Sequence, residues 1–284
     1  MEINSILKSG YLVREQIYVP ESLRDGTVWD ELATTDLLDA ATSATSEEHA
    51  IRKGEEQIQK LLQTAPDGVI LDLGCGYGRI AEHLLPKRTF EAYIGIDSSI
   101  KMLRFAHARK QGKVGITTPL YFVYGEIDSI PLTDASVDTV VVSAVFLHNH
   151  KSITKKSVQE IYRVLKPGGK LYVFSSFPNL LSLMGIQVAI YLFFLGIFGD
   201  AHRNGPVRYF RRGEVQELLH AYGKVEVVPF GFNVLPKRIL VLPRFINSFY
   251  MRYFANPLNA FLASVVSRKC KKFFATHHDV IAVK

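Results

Sequence analysis

From Val69 onward, short apolar runs alternate with segments in which apolar residues recur every three or four positions. VILDLG, EAYIGID, LYFVYGE, VDTVVVSA and KLYVFSS have the length and β-branched content of buried strands. Between them, SSIKMLRFAHARK and SITKKSVQEIYRVL read as helices. In the second, Val158, Ile161, Tyr162 and Leu165 fall at i, i+3, i+4 and i+7 and form one stripe to lay on a sheet. Pro167-Gly168-Gly169 ends that helix, because proline disfavours helix in the residue before it and glycine suits the turn. A further helix, GEVQELLHAY, leads into KVEVVPFGF, and DVIAVK closes the chain; these two runs are the last strands. The alternation predicts an α/β fold, a doubly wound and mostly parallel sheet of seven strands with crossover helices.

Residues 1–65 are polar and mixed, contain Trp29 in TVWDELATTD, and carry a helical pattern from Glu47 to Leu62. They read as an N-terminal helical cap on an α/β core spanning 66–177. An apolar lid insertion at 178–212 follows. Residues 213–284 hold the last helix and strands, interrupted by an aromatic and basic insertion, and all four parts form one composite domain. A chain of 284 residues with 48% hydrophobic composition buries a core of that size, so disorder is excluded as the default. Cys75 and Cys270 are too few for a disulfide framework, and MEINSILKSGYLVREQ has no apolar signal core. A reducing, cytoplasmic setting is expected. The net charge of +7 is compatible with an anionic partner, and much of it lies beyond residue 200.

Candidate chemistry sits where strands end. Val69–Ile80 places a buried strand directly before Gly74, Gly76 and Gly78, with a helix following, so the backbone can approach a ligand unobstructed. A dinucleotide fingerprint starting at Gly74 would need a small residue where Arg79 stands, which demotes a nicotinamide or flavin site. Asp97 closes the second strand, where an acid accepts both hydroxyls of a ribose; the competing role is a cap for the following helix, and the two can coexist. Glu126 ends the third strand and can accept from an adenine amino group beside the Ile127 backbone; a solvated strand-end acid is the alternative. Asp72, inside the first strand, needs partners if buried, and can favour a cationic ligand electrostatically.

These residues resemble class I S-adenosylmethionine-dependent methyltransferases of the small-molecule type, whose sheet is Rossmann-like. The family pattern D-x-G-x-G-x-G is present as Asp72 to Gly78, G-[IV]-D-x-S-x-x-M-L as Gly95 to Leu103, and E-x-x-R-V-L-K-P-G-G as Glu160 to Gly169. WDELATTD resembles the family's N-terminal cap less specifically, and Glu126 stands where many relatives carry Asp. The resemblance implies S-adenosylmethionine as cofactor, held by Asp72, Gly74, Cys75, Gly76, Gly78, Asp97, Ser98, Met102, Glu126, Ile127 and Ser143. It thins after Lys170, where substrate is chosen. An amino-methyltransferase of nucleic acids would carry an Asn/Asp-Pro-Pro-aromatic motif after the fourth strand, where this chain has SAVF at Ser143 to Phe146. Nucleic acid is therefore not the expected partner.

Methyl transfer from a sulfonium runs largely on positioning and desolvation. For a hydroxyl acceptor, FLHNHK offers His148 as general base near the end of the fourth strand, against a packed His148 and a solvated His150. His202 and Tyr209 are weaker candidates. No metal is expected, because no carboxylates surround His148. No charged residue occurs from Leu171 to Gly199, a run long enough to span a bilayer, yet a single crossing would strand the last two strands on the wrong side. The run must return as a lid, a core-facing pair or a dip into one leaflet. The insertion from Asn233 to about Thr276 combines Phe245, Phe249, Tyr250, Phe254 and Phe261 with Arg244, Arg252, Arg268, Lys269, Lys271 and Lys272. That mixture suits either an anionic membrane surface or an ordinary amphipathic helix. The expected function is methylation of oxygen or carbon on a small lipophilic acceptor such as a quinone, sterol, polyketide or lipid-linked sugar. An NAD(P)-dependent oxidoreductase and a catalytically silent adenosylmethionine-binding protein are the rivals.

Overall fold

The computed structural model describes residues 1–23, 48–110, 115–179, 208–230, 249–267 and 273–284, with isolated positions between them. The elements are β1 (Tyr11–Arg14), β2 (Ile17–Pro20), α1 (Glu48–Thr64), β3 (Val69–Leu73), α2 (Arg79–Leu84), β4 (Ala92–Asp97), α3 (Ile100–Lys110) and β5 (Leu120–Tyr124). They continue as β6 (Val137–Ser143), a 3-10 turn (Phe146–His148), α4 (Lys151–Val164), β7 (Leu165–Pro178), α5 (Arg212–Leu218) and β8 (Lys224–Phe230). A π turn (Met251–Ala255) leads into α6 (Asn256–Val265), and β9 (His277–Val283) ends the order.

One sheet runs in the order β1-β2-β5-β4-β3-β6-β7-β9-β8. β5, β4, β3, β6 and β7 pair in parallel, and β9 is antiparallel to both β7 and β8. Every residue of β3 is buried, as a central parallel strand requires. Alternate side chains serve opposite faces. Leu71, Ile94, Val140 and Val173 meet Val158 and Ile161 of α4 and Val215 of α5, while Ile70, Tyr93, Val141 and Tyr172 meet Ile58 and Leu61 of α1 and Ile80 and Leu84 of α2. At the far end the Lys284 ammonium donates to the carbonyls of Tyr162 at 2.6 Å and Leu165 at 2.7 Å, satisfying the last turn of α4.

The sheet departs from the expected seven strands. Part of the region expected to be a helical cap is instead the antiparallel hairpin β1-β2, whose second strand lies parallel to β5. Ile17 and Val19 of β2 pack with Leu103, Ala106 and Phe122, so the hairpin covers an edge that β5 would otherwise expose. The α1 helix matches the helical pattern expected there. The α4 helix stops at Val164, and Leu165 is already extended with ψ 135°, so Leu165 belongs to the sheet rather than the helical stripe. Trp29, the segment WDELATTD, His202, Arg244, Phe245, Arg268, Lys269, Lys271 and Lys272 lie outside the described residues. So does most of the apolar run 178–212. Among the described residues no helix is long and apolar enough to cross a membrane.

Candidate functional site

The loop between β3 and α2 lies at the carboxyl ends of the parallel strands, where a doubly wound sheet opens a crevice. Gly74, Gly76 and Gly78 have φ of 73°, 51° and 77°, all in the left-handed region. Their surroundings differ. A Cβ on Gly74 would come within 2.5 Å of Val145, and one on Gly78 within 3.3 Å of Ala106, so both positions serve close packing. A Cβ on Gly76 would meet nothing within 4 Å. Gly76 therefore offers bare backbone to open space, the cradle a ligand needs.

Hydrogen bonds stitch this loop to the end of β4. The amides of Gly74 and Cys75 donate to the Ile96 carbonyl at 2.8 and 3.0 Å. The Gly76 amide donates to Asp97 Oδ2 at 2.8 Å, and the Ser99 amide to Asp97 Oδ1 at 2.9 Å. Asp97 thus ties the glycine loop to the Ser99 amide, one residue before α3, while the cap expected of Asp97 is supplied by Ser99. As an ionised carboxylate Asp97 only accepts, which suits hydroxyl donors of a ligand. Ser99 is buried, and its hydroxyl accepts the Met102 amide at 3.2 Å, so α3 starts rigidly with Ser98 and Met102 half-buried beside Asp97.

Glu126 follows β5 with its side chain only partly in solvent, while Ile127 turns its side chain into the core. Partial burial, then the nearby charges of Asp128 and Asp97, push the Glu126 carboxyl above its usual range. A ligand supplying hydroxyl and amino donors would relieve that repulsion, because ionised carboxylates only accept. Beneath the loop, Asp72 is 1% exposed and accepts a hydrogen bond from the Tyr93 hydroxyl. Burial raises its pKa to about 6, against the lowering effects of the Tyr93 hydrogen bond and the Arg79 charge. A cation above the loop would favour its ionised form.

The side chain of Cys75 packs under the loop with Ile17, Leu103 and Phe122, and burial drives its thiol pKa well up. Only its backbone, like that of Ile127, is available to a ligand. Gly78 is the N-cap of α2, and its carbonyl accepts from Lys110 Nζ at 2.9 Å. Ser143, at the end of β6, accepts from Arg79 Nη2 at 2.7 Å. Arg79, seen in the sequence only as the residue that breaks a dinucleotide fingerprint, links the loop to β6 and lies 3.3 Å from the Cβ position of Gly54 on α1. A cation directly after a glycine loop, which itself follows a strand holding a buried acid, is the signal that points to it. Tyr93 had no such signal.

His148 ends the 3-10 turn that follows β6. Its ring keeps contact with solvent, and partial loss of water lowers the imidazole pKa. His150 instead caps α4, accepting from the Ser152 amide at 3.3 Å. Among the described residues no group of His, Cys, Asp and Glu could hold a metal.

A family model described as a methyltransferase domain matches residues 71–173. A demethylmenaquinone methyltransferase of Thermotoga maritima is 32% identical over 191 residues, covering 62% of this chain and 79% of that protein. For the other curated relatives the match spans 34–72% of their length, and less than two thirds of it in all but one. Among solved structures, a putative methyltransferase from Haloferax volcanii, in complex with the activator Trm112, superposes with a TM-score of 0.59 at 17% identity, covering 92% of this chain and 99% of that one. An S-adenosylmethionine-dependent methyltransferase from Methanosarcina mazei gives 0.52 at 18% identity, with 79% and 96% covered. At these identities the structures speak for the fold, and the curated relatives carry the assignment. The matched segment begins in β3 and ends in β7, so it contains the glycine loop, Asp97, Glu126 and Ser143, and the chain belongs to the S-adenosylmethionine-dependent methyltransferases.

Proposed function

We propose that the enzyme methylates oxygen or carbon on a small lipophilic acceptor. The observation that carries this reading is the uncharged run Leu171–Gly199, which begins in β7 and leaves the sheet after Pro178 at the crevice edge. An acceptor that approached this uncharged sequence would have to be apolar, since a polar one would lose water without gaining charged partners. The T. maritima relative, named for demethylmenaquinone, supports an acceptor of this character.

In this reading Asp97 would accept from the ribose hydroxyls of the cofactor, Glu126 and the Ile127 backbone would hold the adenine, and the Gly76 backbone would hold the methionine portion. Asp72, Cys75, Gly78, Ser98, Met102 and Ser143 shape the same wall. The cofactor supplies an electrophilic methyl group on a sulfonium. An ionised Asp72 would favour the cofactor's positive charge, and Arg79 keeps the β3 loop and the end of β6 in register. With a hydroxyl acceptor, neutral His148 takes the proton as the oxygen attacks; a carbon nucleophile relies on positioning and exclusion of water.

Incubation with methyl-deuterated S-adenosylmethionine and a cell extract, separated into organic and aqueous phases, tests the acceptor class by mass spectrometry. Enzyme-dependent label in a discrete organic-phase product is the expected outcome. Label confined to water-soluble metabolites would refute it.

A further inference from the structure

The insertion between β8 and β9 presents an apolar face to solvent. Leu258, Phe261 and Val265 recur at helical spacing on α6, with Phe254 about one turn earlier, and these four are 42%, 61%, 62% and 58% exposed. Phe249 adds a fifth exposed apolar side chain, its ring 6.2 Å from that of Phe254. The opposite side of the helix is anchored. Ala255 is buried, and buried Asn259 accepts from the Leu235 amide at 2.9 Å and donates to the Leu235 carbonyl at 3.3 Å. The outward stripe is thus held by a fixed inner face.

Charge identifies what covers it. From Gly231 to His278 the sequence has eight lysines and arginines and no aspartate or glutamate, with Arg268, Lys269, Lys271 and Lys272 clustered just after the stripe. A second copy of the chain would bring like charge against like charge. Nucleic acid would match the charge but would leave Leu258 and Val265 without an apolar partner. An anionic bilayer satisfies both, offering hydrocarbon to the exposed apolar side chains and negative charge to a segment whose sequence carries only positive charge.

Position ties this face to the crevice. Pro178 of β7 and Phe230 of β8 both register with His277 of β9, so the uncharged run and the aromatic insertion leave the sheet at one corner. Asn179 binds the carbonyls of Phe273 and Ala275 at 2.9 and 3.0 Å, and Thr276 binds that of Phe230 at 2.9 Å, locking the corner. Beyond it, Leu181, Ile186 and Ile190 of the uncharged run are also exposed. This corner is at the carboxyl end of β7, the sheet edge that carries the glycine loop and Asp97. We infer that the α6 face docks reversibly on an anionic lipid bilayer and places the crevice edge against it, so that the acceptor enters from the lipid. The last clause rests on the lipophilic-acceptor reading; the docking itself does not.

The test is flotation of the full chain with phosphatidylcholine vesicles, with and without about one third phosphatidylglycerol. The wild type is expected to float with the anionic vesicles only. Raising salt from about 0.1 M to about 1 M, which cuts the Debye length from about 10 Å to about 3 Å, should lower the bound fraction at least about tenfold. The double variant Phe254→Asp/Phe261→Asp, at exposed positions, should lose binding while keeping its circular dichroism and its affinity for S-adenosylhomocysteine. A wild type that stays soluble on anionic vesicles at low salt overturns the inference, as does a double variant that floats unchanged. A dimer abolished by the double variant, without flotation, overturns it in favour of self-association. Methylation of a lipophilic acceptor in detergent without flotation would sink docking alone, and flotation with only water-soluble products would sink the acceptor reading alone.

Discussion

Asp72→Asn should stabilise the ligand-free enzyme while damaging its site. The wild-type carboxyl has a pKa raised from 3.8 to about 6, chiefly by burial, so the folded state binds its proton more tightly than the unfolded chain. The associated stability is fully present below 3.8 and is lost as pH rises through 6. At about 1.4 kcal/mol per pH unit, the gap amounts to about 3 kcal/mol by pH 7.5. Asparagine removes that ionisation and can still accept the Tyr93 hydroxyl, so the buried hydrogen bond survives. Urea unfolding followed by circular dichroism should give nearly equal stabilities at pH 4 and an advantage of about 3 kcal/mol for the variant at pH 7.5. Affinity for S-adenosylmethionine should fall roughly 10- to 100-fold at pH 7.5, through loss of a negative charge near the cofactor's cationic groups. A variant less stable than wild type at pH 7.5, or a difference that does not change with pH, would refute the reasoning.

Asp97→Ala should weaken S-adenosylmethionine binding by roughly 10-fold or more, because both the loop contact to Gly76 and the ribose acceptor are lost; calorimetry reads it. Gly74→Ala should destabilise the fold by about 2 kcal/mol or more in urea unfolding, since its Cβ would overlap Val145 at a φ of 73°. His148→Ala should lower kcat roughly 100-fold with cofactor affinity unchanged if the acceptor is a hydroxyl, whereas a loss below about threefold assigns catalysis to positioning alone. Burial lowers the His148 pKa, so the wild-type rate should fall only on the acid side, as pH drops through that value, and EDTA should have little effect.

The parallel core was legible because its strands are long apolar runs buried on both faces, as in β3, and the turn after β3 carries glycine at its positive-φ positions. The β1-β2 hairpin was not. Its turn residues, Glu15 and Gln16, adopt φ of 51° and 66° without the Asn or Gly that normally announces such a turn. The strand ends at Asp97 and Glu126 were readable as acids in fixed places. Their division of labour was not, because Asp97's bond to Gly76 joins positions in different crossover units. Cys75 and Ile127 illustrate another limit: the motif names the residue, while packing turns its side chain into the core and leaves the backbone outside. Arg79 and Tyr93 meet Ser143 and Asp72 only after the sheet has assembled.

The central claim is that the crevice above Gly76 and Asp97 is the S-adenosylmethionine site. Calorimetric titration of wild type and Gly76→Val with S-adenosylmethionine, S-adenosylhomocysteine and NAD tests it most directly. The account predicts single-site binding of both adenosyl compounds to the wild type, none detectable to a folded Gly76→Val, and no heat with NAD. Tight adenosylmethionine binding retained by Gly76→Val, or binding of NAD in place of the adenosyl compounds, would contradict it.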